Sequence, residues 1–468
     1  MGLVKTLSFI KLGQWVLGRR AETKKESDDY SRPAVLISVW IGMLWSCISI
    51  ITYRTLFKGF HFYNDWSFTL ADKPWTPPST SSIPIVGPHF FGDFQLPLAY
   101  LGLHNPYQLD LPLTLGIGPI ALGYLNILNF KGVKFAFILF LLSGFLLIIF
   151  SINKAILDMK IATKILLLVI SLTFSLPMFI AIDRGNSILI AAPCIFYVII
   201  TLQKNQISKS EYIAVLILAD LAISFKIYLV MTLILCLALN RTKKTFRIFA
   251  SIVAFTVSTN TLLSFYYQSN PIQVIRNILK YSAFQSGKGQ PDWLLGGVSP
   301  LRLFLNVTLH YCHLSNSQCA AGFQKYANLP ALIYFVIILC LIGAGTRMTT
   351  GQKLTLVMST ISCLPPVAMG YTLIWVPLCF IVLVSEMWKF KGNRWSHAWV
   401  FILLFMNLPI PFSGMVPWPI QDWRAIETCL ILVLLFLAAL QERFLFSQIR
   451  NLRGFIQVNS INNGKNSD

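Results

Sequence analysis

Three carboxylates, Asp65, Asp93 and Asp110, stand among aromatic residues in a single stretch of chain that reads YNDW, then FFGDFQ, then NPYQLD. A carboxylate flanked by rings is partly desolvated, which lifts its pKa toward the range of a working general base. Helix capping and the binding of loop amides use the same residue type, so both roles stay open for each of the three. A second group, Asp183-Arg184-Gly185-Asn186, falls between two apolar runs with almost no connecting loop. Charges at such a place anchor a segment at an interface, or Arg184 or Asn186 can bind a charged headgroup. Lys226, in AISFKIYL, lies in the midst of a long apolar run. Burying an ammonium there requires a partner or an aqueous cavity. Asp220 is one conceivable partner, although the two residues fall on different helical faces; a lipid phosphate is the other, with Tyr228 adding a hydroxyl. His310 and His313, in LHYCHL, have helical i, i+3 spacing. Without a carboxylate or third histidine at a telling distance they do not make a metal site, which leaves acid–base, hydrogen-bonding or plain loop roles. No phosphate-binding glycine loop, dinucleotide fingerprint or Ser/His/Asp order is present, which argues against nucleotide-driven chemistry on this chain.

These residues have to be positioned by the rest of the chain, and composition says what kind of chain that is. With 468 residues, 55% hydrophobic and only 12% charged, it departs from soluble globular composition, where about a quarter of residues are charged. Runs such as KFAFILFLLSGFLLIIF match the roughly twenty apolar residues that cross a bilayer core. Twelve spans are expected, near 34–54, 134–152, 164–182, 186–203, 211–225, 227–240, 246–267, 328–345, 352–368, 371–387, 397–411 and 424–442. The net charge of +20 then belongs to basic cytoplasmic loops rather than to a nucleic-acid surface.

One more apolar run, 112–129, holds two prolines and three glycines, and charge decides its place. If it does not cross, one side collects Lys154, Lys160, Lys204, Lys209, Arg241, Lys243, Lys244, Arg247, Arg347, Lys353, Lys389, Lys391 and Arg394. That side also takes the basic N-terminus (1–33, with an amphipathic pattern over 2–20) and the basic tail (443–468). A full crossing would split this set, so the run reads as a re-entrant or interfacial helix, with both termini cytoplasmic. Irregular backbone at that depth has to be covered by protein or face a wet cavity.

The opposite face receives two long loops, about 55–111 and 268–327, together with the AIDRGN turn and the region of Lys226. The stretch from Lys58 to Asp110 is too long for an ordinary connection and too aromatic for disorder, so it reads as a folded, water-facing cap. Cys312 and Cys319 in the second loop can pair if that loop faces an oxidising compartment; most other cysteines lie inside apolar runs.

A first span, a long outer loop with an acidic residue, an entry from Asn105 to Pro119, RGN ahead of a span, and an apolar run broken by FKIY together resemble the GT-C membrane glycosyltransferases. Within them the chain is most similar to glycosyltransferase family 87, the polyprenyl-phosphate-mannose-dependent mannosyltransferases, and PPVAMGYTLIWVPLCF (365–380) shares that likeness. The resemblance covers about residues 34–390. It implies an all-α polytopic GT-C-like bundle of about twelve transmembrane helices with two large extracytoplasmic loops. It also implies an inverting transfer of a sugar, mannose in this family, from a polyprenyl-phosphate donor to a lipid or glycan acceptor, without cofactor or metal. By position Asp93 matches the general base, with Asp65 as the fallback. Asp183 falls where relatives carry a second polar group, Lys226 matches a mid-chain lysine, and His310 is the loosest match. A secondary transporter or lipid flippase is the competing expectation, since twelve spans and Pro/Gly-broken runs also suit that class. A scaffold of cell-envelope synthesis is a third, which would leave Asp93 and Lys226 without a task.

Overall fold

The computed structural model describes residues 94, 97–98, 100–101, 103, 105–107, 116–155, 175, 177–178, 181–182, 185–204, 206–283, 328–344, 347–364, 370–389, 394–406 and 423–442. Every regular element among them is helical, as an all-α chain requires. In chain order the α-helices are α1 (Pro119–Leu128), α2 (Val133–Ala155), α3 (Ile188–Leu202), α4 (Lys209–Phe225), α5 (Leu229–Leu239) and α6 (Lys243–Tyr266). They continue as α7 (Pro271–Ala283), α8 (Asn328–Ala344), α9 (Thr350–Cys363), α10 (Trp375–Lys389), α11 (Arg394–Met406) and α12 (Trp423–Gln441). Ten of these, α2 to α6 and α8 to α12, coincide within a few residues with segments expected from apolar run length. The expected segments at 34–54 and 164–182 lie wholly or mostly outside the described residues. So do the N-terminal stretch, the tail, Cys312 and Cys319.

Local chemistry fixes the helix ends. Ser208 and Glu211 form a reciprocal capping box at the start of α4, and Thr349 and Gln352 do the same for α9. Thr242 caps α6 through the N–H of Thr245. α9 stops at Cys363, two residues before the Pro365-Pro366 pair that cannot continue it.

α3 is apolar on all sides and almost wholly buried, which makes it the bundle's central post. α2 runs beside it in the same direction: Gly144 meets Leu189, Ser151 donates to the Pro193 carbonyl at 2.9 Å, and Phe150 stacks on Tyr197. α4 returns antiparallel to α3 after a short turn, and α6 runs parallel to α4, with Asp220 of α4 facing Thr259 and Asn260 of α6. The outer faces are apolar as well. α2 exposes Ile138, Leu142, Leu146 and Ile149, and α6 exposes Phe246, Val253, Val257 and Leu262, each at helical spacing. Phe135–Ala155 and Lys243–Tyr266 are long and apolar enough to cross a membrane, with only 39% and 17% of their most apolar windows buried.

Most of the described cations, though not Lys131, Lys226, Arg276 and Lys280, gather at one end of the bundle. There Lys154 and Lys204 both pair with Glu211, Asn240 donates to the Leu202 carbonyl at 2.9 Å, and Arg241 lies against Gly343. Glu211 stands in the first turn of α4, ahead of the apolar part of the helix. Its hydrogen bond from Lys154, aided by the Ser208 N–H, holds its carboxyl down at about 2. A carboxyl depressed on folding stabilises fully above its unfolded pKa of about 4.5 and loses that contribution as pH falls toward 2. Thermal unfolding followed from pH 6 to pH 2.5 should therefore show an acid limb that Glu211→Gln flattens, by no more than about 1 kcal/mol per ion pair.

Candidate functional site

At the end away from the basic turns the chain is interrupted at two places. α4 stops at Phe225, Lys226 turns extended (φ −143°, ψ 92°), and α5 restarts at Leu229. The break keeps its backbone bonded: Lys226 N–H donates to Ala222, and Leu229 N–H donates to the Lys226 carbonyl. Lys226 and Tyr228 are half-buried at this junction. The C-terminal end of α4 carries partial negative charge from its carbonyls, which favours an ammonium there.

A second interruption meets the first. The chain reaches Gly116–Gly118 deep in the bundle, where Gly118 N–H donates to the Ser224 carbonyl at 2.6 Å and the Tyr107 hydroxyl donates to the Ile117 carbonyl at 3.2 Å. A Cβ on Gly118 would lie 3.0 Å from Asn260 Oδ1 and 3.3 Å from Ser224 Cα, so a side chain there would press on both. From there α1 runs back antiparallel to α2, with Tyr124 hydrogen-bonded to Ser143 and Phe130 edge-on to Phe135. Ten residues make a helix of about 15 Å, half of a bilayer core. The described part of the 112–129 run, 116–129, is thus a short helix whose entry is bonded to protein through the Gly118 N–H and the Ile117 carbonyl.

The NPY segment is pinned to the turn after α6. Asn105 Oδ1 accepts from Tyr107 N–H and from Ser269 Oγ, while its amide donates to the Gln268 carbonyl at 3.2 Å. Gln273 of α7 donates to the Tyr107 carbonyl, and the Tyr107 and Tyr267 rings meet edge to face. The expected second loop therefore opens with a helix: α7 buries Val274, Asn277 and Ile278 and exposes Ile272, Ile275 and Leu279. α7 also places the Tyr281 ring over Gly116, where any Cβ would collide with it. Gly116→Ala should displace α7 and cost about 1–3 kcal/mol, read as a lowered Tm and faster proteolysis near 271–283.

Phe94, the neighbour of Asp93, is buried against Phe137 and Phe140 of α2 at ring distances of 5.3 and 5.0 Å. One turn further along α2, Ser143 bonds Tyr124, whose ring meets Phe225 edge-on at 5.8 Å. A continuous packed path thus joins the seat of Phe94 to the break at Lys226. Gly185 and Asn186 lead into α3 at a similar level, since Leu189 of α3 meets Gly144 of α2. Gly185 has φ +59°, its N–H donates to Ile182 and the Asn186 N–H donates to Ala181, the pairing that ends a helix on a left-handed glycine. Asn186 is buried, and its side-chain oxygen accepts the Ile188 N–H at 3.0 Å, so that oxygen starts α3.

Asp65, Asp93, Asp110, Asp183, Arg184, His310 and His313 lie outside the described residues. Of the expected site residues, the structure places Asn186, Lys226 and Tyr228, all at the end of the bundle away from the basic turns. It also shows a group that the spacing of residues does not reveal. Asp220, 2% exposed, accepts from Thr259 at 2.7 Å and Asn260 at 2.8 Å, and Ser224 donates to Asn260 at 3.0 Å. These bonds hold the Asp220 carboxylate toward α6. The only sequence signal was the polar STN triplet inside the otherwise apolar α6. Comparison with known protein families, with curated proteins and with solved structures returns no match for this chain.

Proposed function

We propose that the chain is an integral-membrane, polyprenyl-phosphate-sugar-dependent glycosyltransferase. In this reading about twelve helices span the bilayer, both termini are cytoplasmic, and the chemistry takes place at the outer boundary. The observation that carries it is the meeting of the inserted Gly116–Gly118 backbone with the α4–α5 break at Lys226, at the end opposite the basic turns and beneath the NPY segment. Inserted, non-helical backbone at one end of an apolar-faced bundle is what a recess for a lipid-linked head group needs.

The roles follow from charge flow. An outer-loop carboxylate, Asp93 with Asp65 as fallback, takes the proton of the acceptor hydroxyl. That oxygen attacks sugar C1 from the face opposite the phosphate, the C1–O bond breaks, and the configuration inverts. Negative charge collects on the departing polyprenyl phosphate, where Lys226 and Arg184 supply the counter-charge. Tyr228, Asp183 and Asn186 complete the proposed sugar and headgroup contacts, and His310 an acid–base one.

The test is to incubate purified protein with labelled polyprenyl-phosphate-mannose and membrane extract and to identify the labelled product. A new inverted glycosidic linkage supports the reading; a donor left intact under conditions where it binds the protein ends it. One observation favours a second reading, a secondary transporter: Asp220 is a carboxylate deep inside a helix bundle, and such groups often carry ions or protons. Substrate movement into sealed vesicles with no new glycosidic bond, abolished by Asp220→Asn, would select it.

A further inference from the structure

The basic end carries a built groove with no part in the proposed sugar transfer. Between the starts of α4 and α6 lies a cavity of about 670 Å³ whose cationic lining is Lys209, Lys243, Lys244 and Arg247, with Tyr212 and Ile248 as its apolar wall. On the other flank of α6 a second cavity of about 420 Å³ shares Lys243 and Arg247 and adds Arg241 and Phe246. Among the described residues no acidic side chain lines either one. Glu211, the nearest carboxylate along α4, is engaged by Lys154, Lys204 and the Ser208 N–H.

Two local facts sharpen the demand for an anion. Lys243 occupies the first turn of α6, where the exposed N–H groups already carry partial positive charge, so a cation there is held against the helix dipole. Lys243 and Arg247 are also one turn apart on the same exposed face, so both can reach a single phosphate.

The face above them says what the anion is attached to. From Lys243 and Arg247 an uninterrupted exposed track climbs α6 through Phe246, Ala250, Val253 and Val257. A free phosphate has no use for that track; acyl chains do. We propose that this groove binds the phosphate headgroup of an anionic phospholipid, with Lys243 and Arg247 as the central clamp and Lys209, Lys244 and Arg241 on its flanks. The acyl chains lie along the exposed stripe of α6. The site rests on the membrane-spanning reading above and is independent of which reaction the far end performs.

The test uses the full chain in phosphatidylcholine nanodiscs, with phosphatidylglycerol titrated in and retention read by native mass spectrometry after mild delipidation. Phosphatidylglycerol should be retained in preference to phosphatidylcholine. Lys243→Gln combined with Arg247→Gln should weaken that retention about 30-fold, at roughly fivefold per cation. Lys243→Arg should keep it, and millimolar inorganic phosphate should not displace the lipid. Equal retention of the two lipids, or a double variant that binds as before, overturns the proposal. Displacement by inorganic phosphate overturns the lipid assignment. Both substituted residues are exposed, and a matched elution volume and helical circular dichroism show that the variant is folded. A chain that stays monodisperse without detergent and does not enter nanodiscs would instead overturn the membrane reading itself.

Discussion

Asp93→Asn should lower sugar transfer by about 10²–10⁴-fold, the contribution of a positioned general base, while leaving expression, helical content and donor binding unchanged. The substitution keeps size and hydrogen-bonding reach and removes only basicity, so a residue with a merely structural role would tolerate it. The described neighbour makes the site specific. Phe94, next in sequence to Asp93, is fixed between Phe137 and Phe140 of α2, one turn from the Ser143–Tyr124 contact. Asp65→Asn is the internal control, since Asp65 is the other acidic candidate of that loop in the sequence. Full transfer by Asp93→Asn together with loss in Asp65→Asn would move the base to Asp65. Full transfer by both would remove the outer-loop carboxylate from the mechanism. The measurement is initial rate with labelled donor at saturating acceptor.

What the sequence made legible follows from which forces act locally. Apolar run length alone located ten helices, because a segment that must bury or lipid-solvate its whole circumference cannot hide its composition. Charge alone reads 112–129 as a helix that does not cross, because a crossing would separate the basic N-terminus from Lys154 to Arg394; the described part of that run is the short helix α1. α7 was missed because thirteen residues, PIQVIRNILKYSA, alternate apolar and polar groups at helical spacing and read as loop when only mean hydropathy is weighed. The Asp220 network was invisible for a different reason. Its donors, Thr259 and Asn260, are 39 and 40 residues away on a neighbouring helix, so nothing short of the packing register of α4 on α6 brings them together. That same register turns Asp220 toward α6, where the sequence had left open a pair with Lys226.

Lys226→Met should cut turnover by about 10²–10³-fold with a smaller change in donor KM, and Lys226→Arg should recover part of it. The expectation comes from where the break in the helix falls. α4 is seventeen residues long, so Lys226 stands about 25 Å from the basic turn that begins it. In the proposed membrane reading that turn lies at one boundary of a core about 30 Å thick, and the ammonium arrives just short of the other. A lipid phosphate would sit at that depth, and negative charge would accumulate there as the sugar leaves. Methionine preserves the length and packing of the stem at the α4–α5 junction, so a lost charge is separated from a lost fold; unchanged Tm is the check. A loss confined to KM would make Lys226 a ground-state headgroup contact, since uniform binding raises affinity without raising turnover. Unchanged transfer would place leaving-group stabilisation on Arg184 alone. In that case the break at FKIY would serve only to fold α5 back beside α3, a task that the Lys226 backbone, bonded to Ala222 and Leu229, performs whatever its side chain.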